Sequence, residues 1–155
     1  MLFFVLLGAF NCAESLNLIE YRRYGSCGLQ LEPNCPEAMG RLTTHVLDAA
    51  HGCPGSALKI ELYRVEGSQL TLLNSVLSNH DGRCDAPILQ GDDYISGVYQ
   101  LQFHAGDYYR ARGVALPEPA FLDVVVLRFG INAEQEHYHV PLLISPYSYS
   151  TYRGS

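Results

Sequence analysis

The sequence has little positive charge and no long apolar run. Its 155 residues carry 10 lysines and arginines against 16 acidic side chains, which gives a formal net charge of -6. This deficit of cations argues against nucleic acid and anionic membrane as partners. No stretch of about 18 consecutive apolar residues is present, so no membrane-spanning helix is predicted.

Cysteine is sparse, and its spacing forms no recognisable site. The five cysteines lie at positions 12, 27, 35, 53 and 84, with no CxxC pair and an odd total. Neither a zinc centre nor a disulfide framework is therefore predicted. We expect free thiols in a reducing compartment, and hence a cytoplasmic protein.

Motifs of several large enzyme classes are also missing. The chain has no GxSxG nucleophile elbow, no glycine loop that could hold a phosphate, and no cysteine in a catalytic context. It does have a hydrophobic fraction of 48% with only 17% charged residues, which is typical of a packed globular protein. The length fits one domain.

The organisation of the chain changes near Met39. Residues 1–38 show no clear period and hold three of the five cysteines. Their apolar start, MLFFVLLGAFNCA, lacks a basic segment and a clean small-x-small cleavage site. We expect residues 1–38 to be an extension outside the working domain, which then spans 39–155. The alternative is a signal peptide, which would make the protein periplasmic or secreted.

From Arg41 onwards the pattern is that of β-strands. Residues 121–131 are apolar at nearly every position, which predicts a strand buried on both faces. GDYYRARG (106–113) predicts one short helix between glycines. Seven or so short strands separated by turns predict an all-β, two-sheet sandwich. Four further strands are predicted over residues 41–48, 57–67, 69–79 and 97–106.

The last nineteen residues concentrate the polar chemistry. His137 and His139 are two apart, so they share one face of a strand. After a turn at Ser145-Pro146, the run SPYSYSTYRGS predicts a second strand. The chain then ends at Arg153-Gly154-Ser155 without a disordered polar tail, which indicates that this end contributes to a site.

Two further candidates lie earlier in the chain. His45 interrupts a Leu/Thr/Val strand, where a titratable ring needs a partner or a wet cavity. A structural histidine is its default interpretation. His137 and His139 could instead form half of a zinc site, with His45 as third ligand. Asp81-Gly82-Arg83 alone indicates only a turn with a solvated arginine.

Taken together, these segments resemble one known family. They are similar to the 5-hydroxyisourate hydrolases, the transthyretin-like enzymes of urate breakdown. The resemblance covers residues 41–155, and the terminal YRGS is its most specific part. The matching segments are RLTTHVLDAAHGCPG (41–55), NHDGRC (79–84), SGVYQLQF (96–103) with GDYYRARG following, and HYHVPLLISPYSYSTYRGS (137–155).

The resemblance implies a transthyretin-like two-sheet β-sandwich with one short helix, assembled as a homotetramer whose active sites lie in a channel between dimers. It implies hydrolysis of 5-hydroxyisourate without a metal or other cofactor. A transthyretin-type carrier, which binds a small aromatic ligand in the same channel, is the alternative. The implied catalytic residues are His45, Arg83 and His139, the implied substrate-binding residues are Tyr152, Arg153, Gly154 and Ser155, and His137 has a supporting part.

These side chains suit the implied reaction. A neutral imidazole, with an ordinary pKa of about 6.5, can activate the water that opens a strained ring amide. An arginine offers planar donors to oxygen as charge develops on it. A second imidazole can position the water or return a proton to the leaving nitrogen. The sequence leaves open which of His45 and His139 is the base.

Overall fold

The computed structural model describes residues 40–135 and 137–154. The expectations for the extension at residues 1–38 and for Ser155 lie outside these described residues. Among the described residues, nine strands and one α-helix occur. They are β1 (Arg41–Asp48), β2 (Cys53–Pro54), β3 (Lys59–Glu66), β4 (Gln69–Leu77), β5 (Leu89–Gln90), β6 (Gly97–Phe103), α1 (Ala105–Ala111), β7 (Val125–Ile131), β8 (His137–Ser145) and β9 (Ser148–Thr151).

The strands form two sheets, and this confirms the predicted sandwich. One sheet has the order β2-β1-β8-β9, with β5 pairing β1, and the other has the order β4-β3-β6-β7. The core lies between them, because alternate positions of the inner strands point inward. As the alternation predicted, Leu58, Ile60 and Leu62 are fully buried, and so are Tyr99, Leu101 and Phe103.

The same alternation fixes the two faces of β1. Leu42 and Val46 are fully buried, so the intervening Thr43 and His45 lie on the outer face of the sheet. β1 pairs with β8 in parallel, with Thr43 opposite His139 in the register. Because β1 and β8 come from opposite ends of the domain, this pairing brings distant polar residues onto one face.

β7 departs from the sequence-based expectation. It begins only at Val125, and its burial alternates, with Val125 and Leu127 buried and Val126 45% exposed. The prediction of a strand buried on both faces over 121–131 is therefore wrong. The physical reason is the two-layer architecture: each sheet packs only its inner face against the other sheet, so alternate side chains of β7 point away from the core.

The short helix is attached to the end of β1 by a buried carboxylate. The hydroxyls of Tyr108 and Tyr109 donate to Asp48 at 2.9 and 3.1 Å. Burial of Asp48 acts to raise its pKa, but hydrogen bonds from His51 and the two tyrosines outweigh burial and hold the pKa below its ordinary value.

No helix of the described residues is long and apolar enough to cross a membrane.

Candidate active site

The candidate site is a cleft of about 460 Å³ on the outer face of the β1–β8 pair. β1 and β8 form its floor, and the segment from Arg83 to Pro87 forms one wall. Arg83, His137 and His139 therefore line one cleft, whereas His45, the other implied catalytic residue, is not among the residues that line it. The cleft is lined by the polar residues Arg41, Thr43, Arg83, Asp85, His137 and His139.

His45 pairs with Arg83, which lines the cleft. The backbones of the two residues form an isolated antiparallel bridge, and the next residue, Val46, donates its N–H to the carbonyl of Gly82 at 2.8 Å. Gly82 has a φ of +73°, and a β-carbon there would collide with the Val46 carbonyl oxygen. Glycine in the Asp-Gly-Arg turn thus lets Arg83 approach β1.

The two histidines of β8 share one hydroxyl partner. Thr43 Oγ1 lies 2.8 Å from Nε2 of His137 and 2.9 Å from Nδ1 of His139. Both distances are those of good hydrogen bonds. Sequence reasoning missed Thr43, since a threonine on a strand face is an ordinary strand former. Its only signal was its position two residues before His45, on the same face.

The electrostatics of the cleft favour neutral imidazoles. Burial lowers the pKa of His45 below its ordinary 6.5, and the Arg83 guanidinium lowers it further, although the backbone and carboxylate of Asp81 act in the opposite direction. Burial also lowers the pKa of His139, with help from Arg83 and from the neighbouring imidazoles. Both rings are therefore able to accept a proton at neutral pH.

The end of the chain packs against His139. The Gly154 N–H donates to the His139 carbonyl at 2.8 Å, and a β-carbon at Gly154 would lie only 2.7 Å from Cδ2 of the ring. Only a residue without a side chain fits this approach. The sequence predicted that the chain end contributes to a site, and in the structure Gly154 of this end packs against His139, which lines the cleft.

Tyr152 and Arg153 lie elsewhere. They line a second cavity of about 450 Å³ between β7 and β9, and the Arg153 guanidinium lies 4.5 Å from the centre of the Tyr138 ring. Within one chain, the structure therefore does not bring these two residues of the implied substrate-binding set into the cleft. Ser155, the fourth residue of the set, lies outside the described residues.

The zinc alternative finds no ligand set in the described part of the chain. No group of three or more histidine, cysteine or acidic side chains is placed there to hold a metal ion. One nitrogen of His137 and one of His139 are also engaged with Thr43. Cys84 is a free thiol on the wall, and burial, with a contribution from Asp85, raises its pKa to about 11, so it remains protonated.

Sequence comparison assigns the family. The profile of the HIUase/Transthyretin family matches residues 42–154. The chain belongs to this family. Its curated relatives include the 5-hydroxyisourate hydrolase of Pseudomonas aeruginosa, which is 77% identical over 120 residues that cover 77% of this chain and 95% of that protein.

Solved structures agree with this assignment. The 5-hydroxyisourate hydrolase of Klebsiella pneumoniae is similar with a TM-score of 0.58 and 30% identity, over 75% of this chain and 94% of the other. Sea bream transthyretin, solved with thyroxine, is similar with a TM-score of 0.67 but 23% identity, over 74% and 94% of the two chains. The second similarity concerns the fold, and it confirms the predicted transthyretin-like architecture.

In this member of the HIUase/Transthyretin family, the described residues supply the groups that hydrolysis of a cyclic amide needs. A guanidinium on the wall can hold an oxygen on which negative charge develops. The imidazoles of His45 and His139, both with lowered pKa values, can accept and return protons. A group that can stabilise negative charge and groups that can transfer protons thus lie at the same face of the sheet.

Proposed function

We propose that this chain hydrolyses 5-hydroxyisourate to 2-oxo-4-hydroxy-4-carboxy-5-ureidoimidazoline, and so acts in urate breakdown. One observation carries the proposal: Arg83, beside neutral His45 and His139, lies at a cleft in a chain that is 77% identical to a 5-hydroxyisourate hydrolase. A carrier would not need two proton-accepting rings beside a guanidinium. We therefore do not favour the carrier alternative.

The residue roles follow from what each side chain can do. Arg83 donates hydrogen bonds to the carbonyl and ring-nitrogen edge of the substrate, and it stabilises the oxyanion as water adds. One of His45 and His139 removes a proton from this water, and the other positions the water or returns a proton to the leaving nitrogen. Gly154 holds the chain end against His139. Tyr152, Arg153 and Ser155 complete the substrate pocket in the assembled protein.

The assembly that we propose is a homotetramer in which the clefts face a shared channel. Two features support it. The cleft opens on the outer face of its sheet, and β7 and β9 lie at the ends of their sheets, where a neighbouring copy can cover unpaired backbone groups. Light scattering at micromolar concentration is expected to give a tetramer. A monomer that retains full activity would contradict this arrangement.

The activity test must account for spontaneous decay of the substrate. Freshly generated 5-hydroxyisourate is mixed with the purified protein, and its loss is followed against buffer and against heat-denatured protein. We expect a rate in clear excess of both. A protein that gives no excess, yet binds a small aromatic ligand, would favour the carrier alternative.

A further inference from the structure

The hydroxyl that bridges the two histidines of β8 points to a role for Thr43 and His137 in the proposed reaction. We propose that Thr43, oriented by His137, is a positioning residue that holds His139 with its proton on Nδ1, so that Nε2 faces the cleft as the base. The inference rests on the proposed hydrolase function, and it assigns the base, which the sequence left open.

The first step of the argument is a count of protons. A threonine hydroxyl carries one hydrogen, so it can donate to only one of its two imidazole neighbours. While both rings are neutral, the other neighbour must donate to the hydroxyl oxygen. If Thr43 donates to Nε2 of His137, then Nδ1 of His139 carries a proton and its Nε2 is bare. The reverse arrangement would put the proton of His139 on Nε2.

The surroundings of His139 favour the first arrangement. Thr43 contacts the Nδ1 side of the ring, and no described residue hydrogen-bonds Nε2, which is left for the cleft. Burial and then the Arg83 guanidinium, which lines the same cleft, lower the pKa of this ring. A positive charge in the cleft favours a bare nitrogen lone pair over an N–H dipole on the cleft side of the ring. His137 then serves as the acceptor that fixes the direction of the Thr43 hydroxyl.

The proton balance of the step closes without another reactant. Nε2 of His139 takes a proton from water as the water oxygen bonds to the substrate carbonyl carbon. The same Nε2–H then passes to the ring nitrogen as the carbon–nitrogen bond breaks, which returns His139 to its starting form. Thr43 keeps the Nδ1 proton in place throughout, as the carboxylate does for the histidine of a serine hydrolase.

Thr43 is well suited to a test because it carries no charge. Several charged or titratable groups face the two rings: Arg41 lies opposite His137, His45 follows on β1, and Asp81, Arg83, Cys84 and Asp85 come from the loop beside the cleft. Thr43→Val leaves all of them in place and removes only the hydroxyl. A changed pH profile in this variant would therefore report the lost hydrogen bonds.

The chain offers matched controls. Thr43→Ser keeps the hydroxyl and should rescue the activity. Thr44 is the neighbouring residue on β1 and also borders the cleft, but its side chain is buried and its hydroxyl donates to the Val140 carbonyl at 2.7 Å. Thr44→Val therefore removes a hydroxyl from the same strand pair without touching the histidines. It is expected to lower the melting temperature and to leave the pH profile unchanged.

The experiment combines kinetics with nitrogen NMR of the imidazoles. In Thr43→Val we expect kcat to fall by at least about 10-fold with KM little changed, and the acid limb of the pH profile to move. Thr43→Ser should stay close to wild type. The nitrogen shifts should show the Nδ1–H form of neutral His139 in the wild-type protein, and a shift towards the Nε2–H form in Thr43→Val.

Either readout can overturn the inference independently of the proposed function. A wild-type His139 in the Nε2–H form, or a Thr43→Val variant that keeps the wild-type kcat and pH profile, would refute the role of Thr43. The tautomer measurement requires no activity, and it remains decisive if Thr43→Val folds poorly, because the wild-type form alone decides it. Failure of the wild-type protein to exceed the buffer rate would instead refute the hydrolase function.

Discussion

The backbone of Arg83 pairs with that of His45 in an isolated antiparallel bridge, and this places a permanent cation beside a titratable ring. Burial lowers the pKa values of His45 and His139, and the guanidinium lowers both further. Arg83 thus has two effects. It can bind substrate oxygen, and it adds to the burial that favours neutral imidazoles able to accept a proton.

These two effects can be separated by substitution. Arg83→Gln removes the charge, so the pKa values of His45 and His139 should rise towards the ordinary 6.5. Arg83→Lys keeps the charge but loses the planar donors, so both pKa values should stay low. We expect each variant to lose about 100-fold or more in kcat. NMR titration of the histidines distinguishes them, and unchanged pKa values in Arg83→Gln would contradict the electrostatic account.

The pH dependence of the wild-type enzyme follows from the same shifts. A base must be unprotonated, so activity falls as pH drops through its pKa. Because burial and Arg83 lower the pKa of both rings, the acid limb should lie below 6.5, not at it. A profile of kcat/KM in buffers of constant ionic strength measures this limb. An acid limb centred above pH 7 would mean that neither imidazole is the base.

The contact between Gly154 and His139 predicts a steric effect. Gly154→Ala places a β-carbon 2.7 Å from Cδ2 of His139, so the ring or the chain end must shift, and we expect this to disturb the hydrogen bond between His139 and Thr43. Such a displacement should cost about 10-fold or more in kcat while the melting temperature changes little. Deletion of residues 152–155 should be at least as damaging. Full activity in both variants would exclude the chain end from the site.

Asp48 allows a prediction about stability that does not involve the site. Asp48→Asn replaces one of the two carboxylate oxygens that accept from the buried tyrosine hydroxyls by an amide NH2, which can only donate, and should cost about 3 kcal/mol in the free energy of unfolding. The folded pKa of Asp48 is depressed, so its contribution is present above the unfolded pKa and is lost as pH falls through the folded one. Urea denaturation at pH 7 and at low pH measures both. A neutral effect of Asp48→Asn would contradict this role.

The extension can be tested by removing it. All described strands begin at or after Arg41, and the family match begins at residue 42. A chain shortened to residues 39–155 is therefore expected to fold and to keep full activity. Circular dichroism and the 5-hydroxyisourate assay check this, and loss of folding would refute the proposal that residues 1–38 lie outside the working domain.

The sequence predicted which residues share a face of a strand better than it predicted what packs against that strand. Alternation in RLTTHVLD sets Leu42 and Val46 on the face opposite to His45, because a period of two is a local property, and in the structure Leu42 and Val46 are buried. It failed for β7, since an apolar run does not reveal that one face of the strand is left uncovered. Burial of Val126 depends on whether another element packs on the outer face of its sheet, and that is a tertiary property.

The same limit applies to the site. Resemblance supplied His45, Arg83 and His139, but the bridge through Thr43 depends on the parallel register of β1 and β8. No local pattern encodes that register, because the two strands are separated by most of the domain. The resemblance also grouped Tyr152 with Gly154, whereas within one chain Tyr152 lines the second cavity and Gly154 packs against the His139 ring.

The most direct test compares the rate of 5-hydroxyisourate loss above buffer for wild type, His139→Asn and His80→Asn. His80 is a highly exposed histidine outside the cleft, and it serves as the matched control. We predict a large excess rate for wild type and for His80→Asn, and a loss of about 100-fold or more for a folded His139→Asn. An excess rate that survives in His139→Asn, or that is absent in the wild type, would contradict the account.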